Sequence, residues 1–217
     1  MSGRARVGVL ISGRGSNLQA LIDAAAAPDF PAEIALVVSN VAEVEGLKRA
    51  KRAGIATCTI AHGAFASREA FDAQISAALH DADIDFVCLA GFMRVLSDTF
   101  VRDWMGRLIN IHPSLLPSFK GLHVHRRVLE AGVRVSGCTV HFVVPELDSG
   151  AIVAQAAVPV LPDDTEDALA ARTLKAEHRL YPLALKLLAL HRVRLEGEKA
   201  VFQDAKFADG ALFNPPL

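Results

Sequence analysis

The chain has 217 residues, 52% of them hydrophobic, with 23 basic and 24 acidic side chains and a net charge of -1. That length gives room for one large unit or two small ones, with a sizeable core. The near-neutral balance speaks against a nucleic-acid surface, and the most apolar stretch, 181–190, is too short to span a bilayer and contains Lys186.

The first half alternates two periodicities. Short β-branched runs at 6–11, 34–38, 57–60 and 86–89 read as strands, and 17–27, 44–53 and 67–82 read as helices. This alternation predicts βαβ units and a mostly parallel, Rossmann-like sheet with helices on both faces, an α/β fold. A short helix over 98–105 leads into a strand over 107–112. Two strands, 138–144 and 152–160, flank the loop Pro145-Glu146-Leu147-Asp148-Ser149-Gly150 and continue the sheet as strand, loop, strand. A long helix over 165–190 follows, with Thr165 suited to its start and Pro182 expected to kink or split it. A small hairpin over 193–203 precedes a loose tail around Asn214-Pro215-Pro216. The expected organisation is a single domain over 1–217, with a phosphate-binding βαβ half (1–105) and a catalytic half (106–217).

Cys58, Cys88 and Cys138 form no CxxC pair and no disulfide framework. A reducing, cytoplasmic setting is expected. The apolar run 7–11 is too short for a signal-peptide core.

Four places carry chemistry. Gly13-Arg14-Gly15-Ser16-Asn17-Leu18 follows the first strand and opens the first helix. Free backbone N–H groups and the positive helix end suit a phosphate there. A dinucleotide fingerprint is incomplete, because Leu18 replaces its third glycine and the second strand ends in Ser39-Asn40 rather than an acid. A plain tight turn remains open.

Asn110 and His112 lie two apart at a strand end that Pro113 terminates, so both project from one face at a rim. One offers N–H donors for a developing negative charge, and the other carries a proton near neutral pH. Asp148 is either a turn aspartate or a carboxylate that orients His112 and favours its charged form. Arg94 directly follows the buried-looking Ala90-Gly91-Phe92-Met93, at the carboxyl end where parallel sheets bind ligands. His123-Val124-His125 lacks a third ligand at recognisable spacing, so no metal is expected, and His141 reads as a packed strand histidine.

Taken together these segments resemble the phosphoribosylglycinamide formyltransferases. The likeness runs from Val9-Leu10-Ile11-Ser12-Gly13 to Glu177-His178. It rests on Gly15-Ser16-Asn17-Leu18, Leu89-Ala90-Gly91-Phe92-Met93-Arg94, Asn110-Ile111-His112-Pro113-Ser114-Leu115-Leu116-Pro117 and Glu146-Leu147-Asp148-Ser149-Gly150. The resemblance implies transfer of the formyl group of 10-formyltetrahydrofolate, a co-substrate, to the amine of N1-(5-phospho-D-ribosyl)glycinamide in purine synthesis. It implies a catalytic trio of Asn110, His112 and Asp148, with Asp148 orienting and charging His112. Gly15, Ser16, Asn17 and Glu177 then hold the glycinamide ribotide. Arg68, Met93, Arg94, Val95, Leu96, Asn110, Val144, Leu147 and Asp148 hold the folate. Small-molecule partners and a monomer or homodimer are expected.

Two positions depart from the family pattern. Ser149 stands where Asp-Gly-Gly is common, and Leu174 replaces a polar residue. Methionyl-tRNA formyltransferases share the Asn-x-His and Asp elements, but they add a basic domain for which this chain has neither the length nor the charge. A formyltetrahydrofolate hydrolase or a non-catalytic binder on the same scaffold remain as rivals.

Overall fold

The computed structural model describes residues 3–204 together with 207, 210 and 214. Most of the tail expected to be loose lies outside the described residues.

A seven-stranded sheet organises the chain. Its strands are β1 (Ala5–Ile11), β2 (Ala32–Ser39), β3 (Ala56–Thr59), β4 (Phe86–Leu89), β5 (Leu108–His112), β6 (Val135–Phe142) and β7 (Ile152–Pro159), in spatial order β3-β2-β1-β4-β5-β6-β7. The first five are parallel, and β6 and β7 are antiparallel additions. The helices are α1 (Ser16–Ala25), α2 (Glu45–Arg52), α3 (Arg68–Asp81), α4 (Asp98–Asp103), α5 (Val124–Glu130) and α6 (Glu166–Ala189). A separate hairpin joins β8 (Val193–Glu196) and β9 (Lys199–Phe202).

Both faces of the sheet are covered, as the alternation predicts. On one face Val7, Val9 and Ile11 meet Leu18, Leu21 and Ile22 of α1 and Leu180, Tyr181 and Leu185 of α6. On the other, Leu10, Leu36 and Val38 meet Phe71, Ile75 and Leu79 of α3. Burying one such aliphatic side chain contributes about 1.5–3 kcal/mol, so each helix is held by its apolar stripe rather than by propensity.

One expectation changes. Pro182 does not split α6, and a single helix runs through it. The residues around it are pinned: Leu180 and Ala184 are buried, and the Tyr181 hydroxyl donates to the carbonyls of Leu89 (3.0 Å) and Ile109 (3.2 Å). That packing offsets the missing N–H. The segment that follows Pro117 leads into α5, which starts at Val124 after His123 in the left-handed conformation (φ 55°).

Candidate active site

The glycine loop forms a tight, unoccluded helix start. Gly15 sits at φ 68°, and a Cβ there would come 2.6 Å from Gly46 Cα. The loop can therefore press on α2 only because two glycines meet, and Gly46 N–H donates to Gly13 O at 3.0 Å. No side chain caps α1, and its first turn has no acidic residue. Its leading N–H groups and dipole are thus available to an anion.

Asn17 is tied across the fold. Its Nδ2 donates to Glu177 Oε2 at 2.7 Å, while its Oδ1 is buried without a partner among the described residues. Glu177 is only 7% exposed, so it is not a solvated helix glutamate. Burial pushes its carboxyl up, and the Asn17 bond pulls the other way. A cavity of about 360 Å³ beside this pair is lined by Ser16, Gln19, Ala20, Asp23, Arg49 and His178. Arg49 carries no motif and the sequence marks His178 only as the neighbour of Glu177; the folded chain brings both to the loop.

Asn110 and His112 do share one face of β5, opposite His141 and Thr139 of β6. His112 is 6% exposed and Asp148 9%. His112 Nδ1 lies 3.5 Å from Asp148 Oδ2, and its Nε2 lies 3.0 Å from Phe119 O. Both ring nitrogens thus face oxygen atoms that can accept a hydrogen bond. Asp148 is itself anchored, because its Oδ2 accepts from Gly121 N–H at 2.8 Å. Asp148 adopts φ 48°, a left-handed turn conformation. Gly150 two residues on must lack a Cβ, which would strike Phe142 O at 1.7 Å.

His141 belongs to the site as well. Its Nδ1 lies 2.8 Å from Phe142 O, which can only accept, so Nδ1 carries the proton. Nε2 is then an acceptor for Asn110 Nδ2 at 3.2 Å. Burial lowers the imidazole's proton affinity, which keeps this neutral form. His141 Nε2 is also 3.9 Å from Asp148 Oδ1, so the ring sits between two of the expected catalytic residues. The alternation of His141 with Val140 and Phe142 gives its face but not its neighbour. The pairing Asn110↔His141 is the missing signal.

Behind the strand end, Thr139 Oγ1 donates to Ser114 O (2.7 Å) and accepts from Leu116 N–H (3.1 Å) and Gln155 Nε2 (2.9 Å). These bonds fix the chain that leaves His112.

The residues expected at the folate site fall into three groups. Met93, Arg94 and Val95 are exposed, and Leu96 beside them is buried. Arg94 lies over the Phe71 ring at 5.9 Å. Arg68 opens α3 and pairs with Glu69 at 3.7 Å in solvent. Val144 is half-buried and Leu147 exposed, on the loop that ends at Asp148. Val143, at the start of that loop, packs on the cluster that also buries Leu89, Phe92 and Leu96. Met93 at 68%, Val95 at 58% and Leu147 at 56% exposure present apolar side chains to solvent. A second cavity, of about 500 Å³, lies beside Asp148 between Leu116, Lys120, Ile152 and Lys199. Among the described residues no cluster of metal-ligating side chains occurs. No helix among them is long and apolar enough to cross a membrane.

Comparison with known proteins gives one answer at several levels. The Formyl transferase family model matches residues 5–185. Phosphoribosylglycinamide formyltransferase of Escherichia coli (strain K12) is 47% identical over 210 residues, covering 95% of each chain. Trifunctional purine biosynthetic protein adenosine-3 of Drosophila melanogaster is 59% identical over 187 residues, and the match spans 85% of this chain but only 14% of that relative's length. Among solved structures, glycinamide ribonucleotide transformylase 1 from Symbiobacterium toebii superposes with a TM-score of 0.91 at 46% identity, covering 94% of this chain and 96% of the other. The chain belongs to the formyl transferase family and, within it, to the phosphoribosylglycinamide formyltransferases.

Proposed function

We propose that this chain transfers the formyl group of 10-formyltetrahydrofolate to the amine of N1-(5-phospho-D-ribosyl)glycinamide. The observation that carries the reading is the convergence of half-buried Asn110 with buried His112 and Asp148, from β5 and the β6–β7 loop, around His141. The uncapped start of α1, with Asn17 and Glu177 beside it, supports a phosphorylated acceptor. The exposed Met93–Val95 segment and Leu147 support a flat, partly apolar donor such as a pterin.

The amine nitrogen attacks the formyl carbon, and the carbonyl electrons move onto its oxygen. In the tetrahedral intermediate that oxygen is negative. Asn110 has one Nδ2–H free, because the other is given to His141. His112 supplies the second donor, and Asp148 facing Nδ1 favours the charged ring and sets its angle. The His112 Nε2–H is engaged by Phe119 O in this state. The 118–123 loop therefore yields that bond when the oxyanion forms. The carbon–nitrogen bond to the folate then breaks. One proton passes from the attacking amine to the leaving folate nitrogen, carried by His112 or by water. No covalent enzyme intermediate is required.

A spectrophotometric assay of folate deformylation tests the reading. Deformylation that requires glycinamide ribotide is the expected result. Deformylation without it identifies a hydrolase, and none at all identifies a binder; either contradicts the proposal.

A further inference from the structure

Residues 91–97 leave β4 and reach α4 without regular structure. This strap has no ladder of backbone bonds, so its shape depends on what holds it. Two apolar side chains peg it down. Phe92 and Leu96 are buried in the cluster with Phe71, Leu89 and Phe100. Two polar anchors hold its ends. At the front, Ser12 N–H donates to Gly91 O at 3.1 Å, and Met93 N–H donates to Ser12 Oγ at 2.8 Å. At the rear, Ser97 N–H donates to Asp72 Oδ2 at 2.5 Å. Met93, Arg94 and Val95 bow outward between these points.

Asp72 is unusual among the carboxylates of the fold. It lies on α3, is 1% exposed, and its Oδ1 is buried with no partner among the described residues. Capping α4 does not explain it, because the Ser97 hydroxyl already accepts from Phe100 N–H at 3.3 Å. The Asp72 bond instead grips the backbone one residue before the helix, where the strap ends. Arg68 lies one turn earlier on the same face of α3, and Arg94 reaches back over Phe71. The first turn of α3 and the strap are thus one unit.

We propose that Asp72 is a positioning residue for the formyl donor: its buried carboxylate fixes the rear of the strap so that Met93–Val95 meet the folate in one register. This rests on the reading that the strap binds the donor. A charged acceptor suits the task, since its bond to an N–H is short and directional, and an apolar replacement leaves that N–H unpaired. The acceptor site is carried separately, by α1 and Gly46. Losing the rear anchor therefore affects one substrate and not the other.

The test is steady-state kinetics with each substrate varied in turn. Asp72→Ala is expected to raise the Michaelis constant for 10-formyltetrahydrofolate by about tenfold or more while that for glycinamide ribotide stays within about twofold. Asp72→Asn keeps an oxygen acceptor for Ser97 N–H and is expected to restore most of the donor affinity. A second pair removes the bond from the other side. Ser97 has φ -70°, which proline adopts, so Ser97→Pro deletes the N–H and Ser97→Ala deletes only the hydroxyl. Donor affinity is expected to fall in the proline variant and not in the alanine one, even if Asp72→Ala does not fold. Equal rises for both substrates, or no rise in Asp72→Ala and Ser97→Pro, overturn the proposal. Arg94→Ala separates the two levels. If it leaves the donor constant unchanged, the strap does not read the donor and both ideas fall. If it raises that constant while Asp72→Ala does not, only the role of Asp72 falls.

Discussion

Asn17 and Glu177 stand 160 positions apart and meet at 2.7 Å. The bond joins a phosphate-loop amide to a buried carboxyl, so a change at either end is felt at both. Asn17→Gly leaves Glu177 buried without its donor, at a cost of about 1–3 kcal/mol in stability. It also deletes a donor beside the helix start. The Michaelis constant for glycinamide ribotide is expected to rise at least about tenfold, and that for the folate to change little. Equal changes for both substrates remove the phosphate-loop assignment. At this scale the sequence was legible where period two or a glycine spacing carries the meaning. Asn110 and His112 share a face because strands alternate, and Gly15 needs a left-handed turn. His141, Arg49, His178 and Asp72 were not legible, because their roles depend on which strand or helix lies next to them. Strand 135–142 alone does not reveal that it pairs antiparallel with β5 and sets His141 against Asn110.

The elements that position the site are joined at points where backbones nearly touch. A Cβ on Gly150 would sit 1.7 Å from Phe142 O, and on Gly137 2.0 Å from Ala156 O. Neither obstacle is a flexible side-chain end, so the backbone must move. Gly150→Ala is expected to displace the Asp148 turn and cut turnover by at least about 10², since a misplacement of about an ångström already costs that much. Thermal melting is the control: Gly150→Ala must keep a cooperative transition, whereas Gly137→Ala, in the middle of the β6–β7 ladder, is expected to lose several degrees. An active Gly150→Ala enzyme contradicts the view that this turn sets the geometry of Asp148. Element positions were predicted well wherever apolar periodicity was strong. The failures have physical causes. Pro182 signals a break, but burial on both sides of it outweighs one lost hydrogen bond. α5 is seven residues long and starts after a left-handed histidine, so neither its length nor its cap announces it.

For the molecule as a whole, three imidazoles carry a pH signature. His125, His141 and His178 all have proton affinities lowered, chiefly by burial. The unfolded chain takes up protons on these rings below about pH 6.5, where the folded chain resists them. The unfolded state then binds more protons, so stability falls as pH drops through that value. Asp72 and Glu177 act in the opposite sense, because burial raises their carboxyls. With three rings set against two carboxyls, melting temperature is expected to decline between about pH 7 and pH 5.5. A rise over that interval contradicts neutral buried histidines. The sheet order itself follows from the βαβ alternation plus one added strand pair, and it is this addition that carries Asp148 and His141 to the end of β5.

The central claim is that Asn110, His112 and Asp148 act on one charge as a unit. A double-mutant cycle in turnover number tests it directly, using His112→Ala, Asp148→Asn and the pair together. Each single change is expected to cost about 10²–10³, and the double change little more than the worse single one, because Asp148 works only through the ring it orients. Losses that multiply contradict the account.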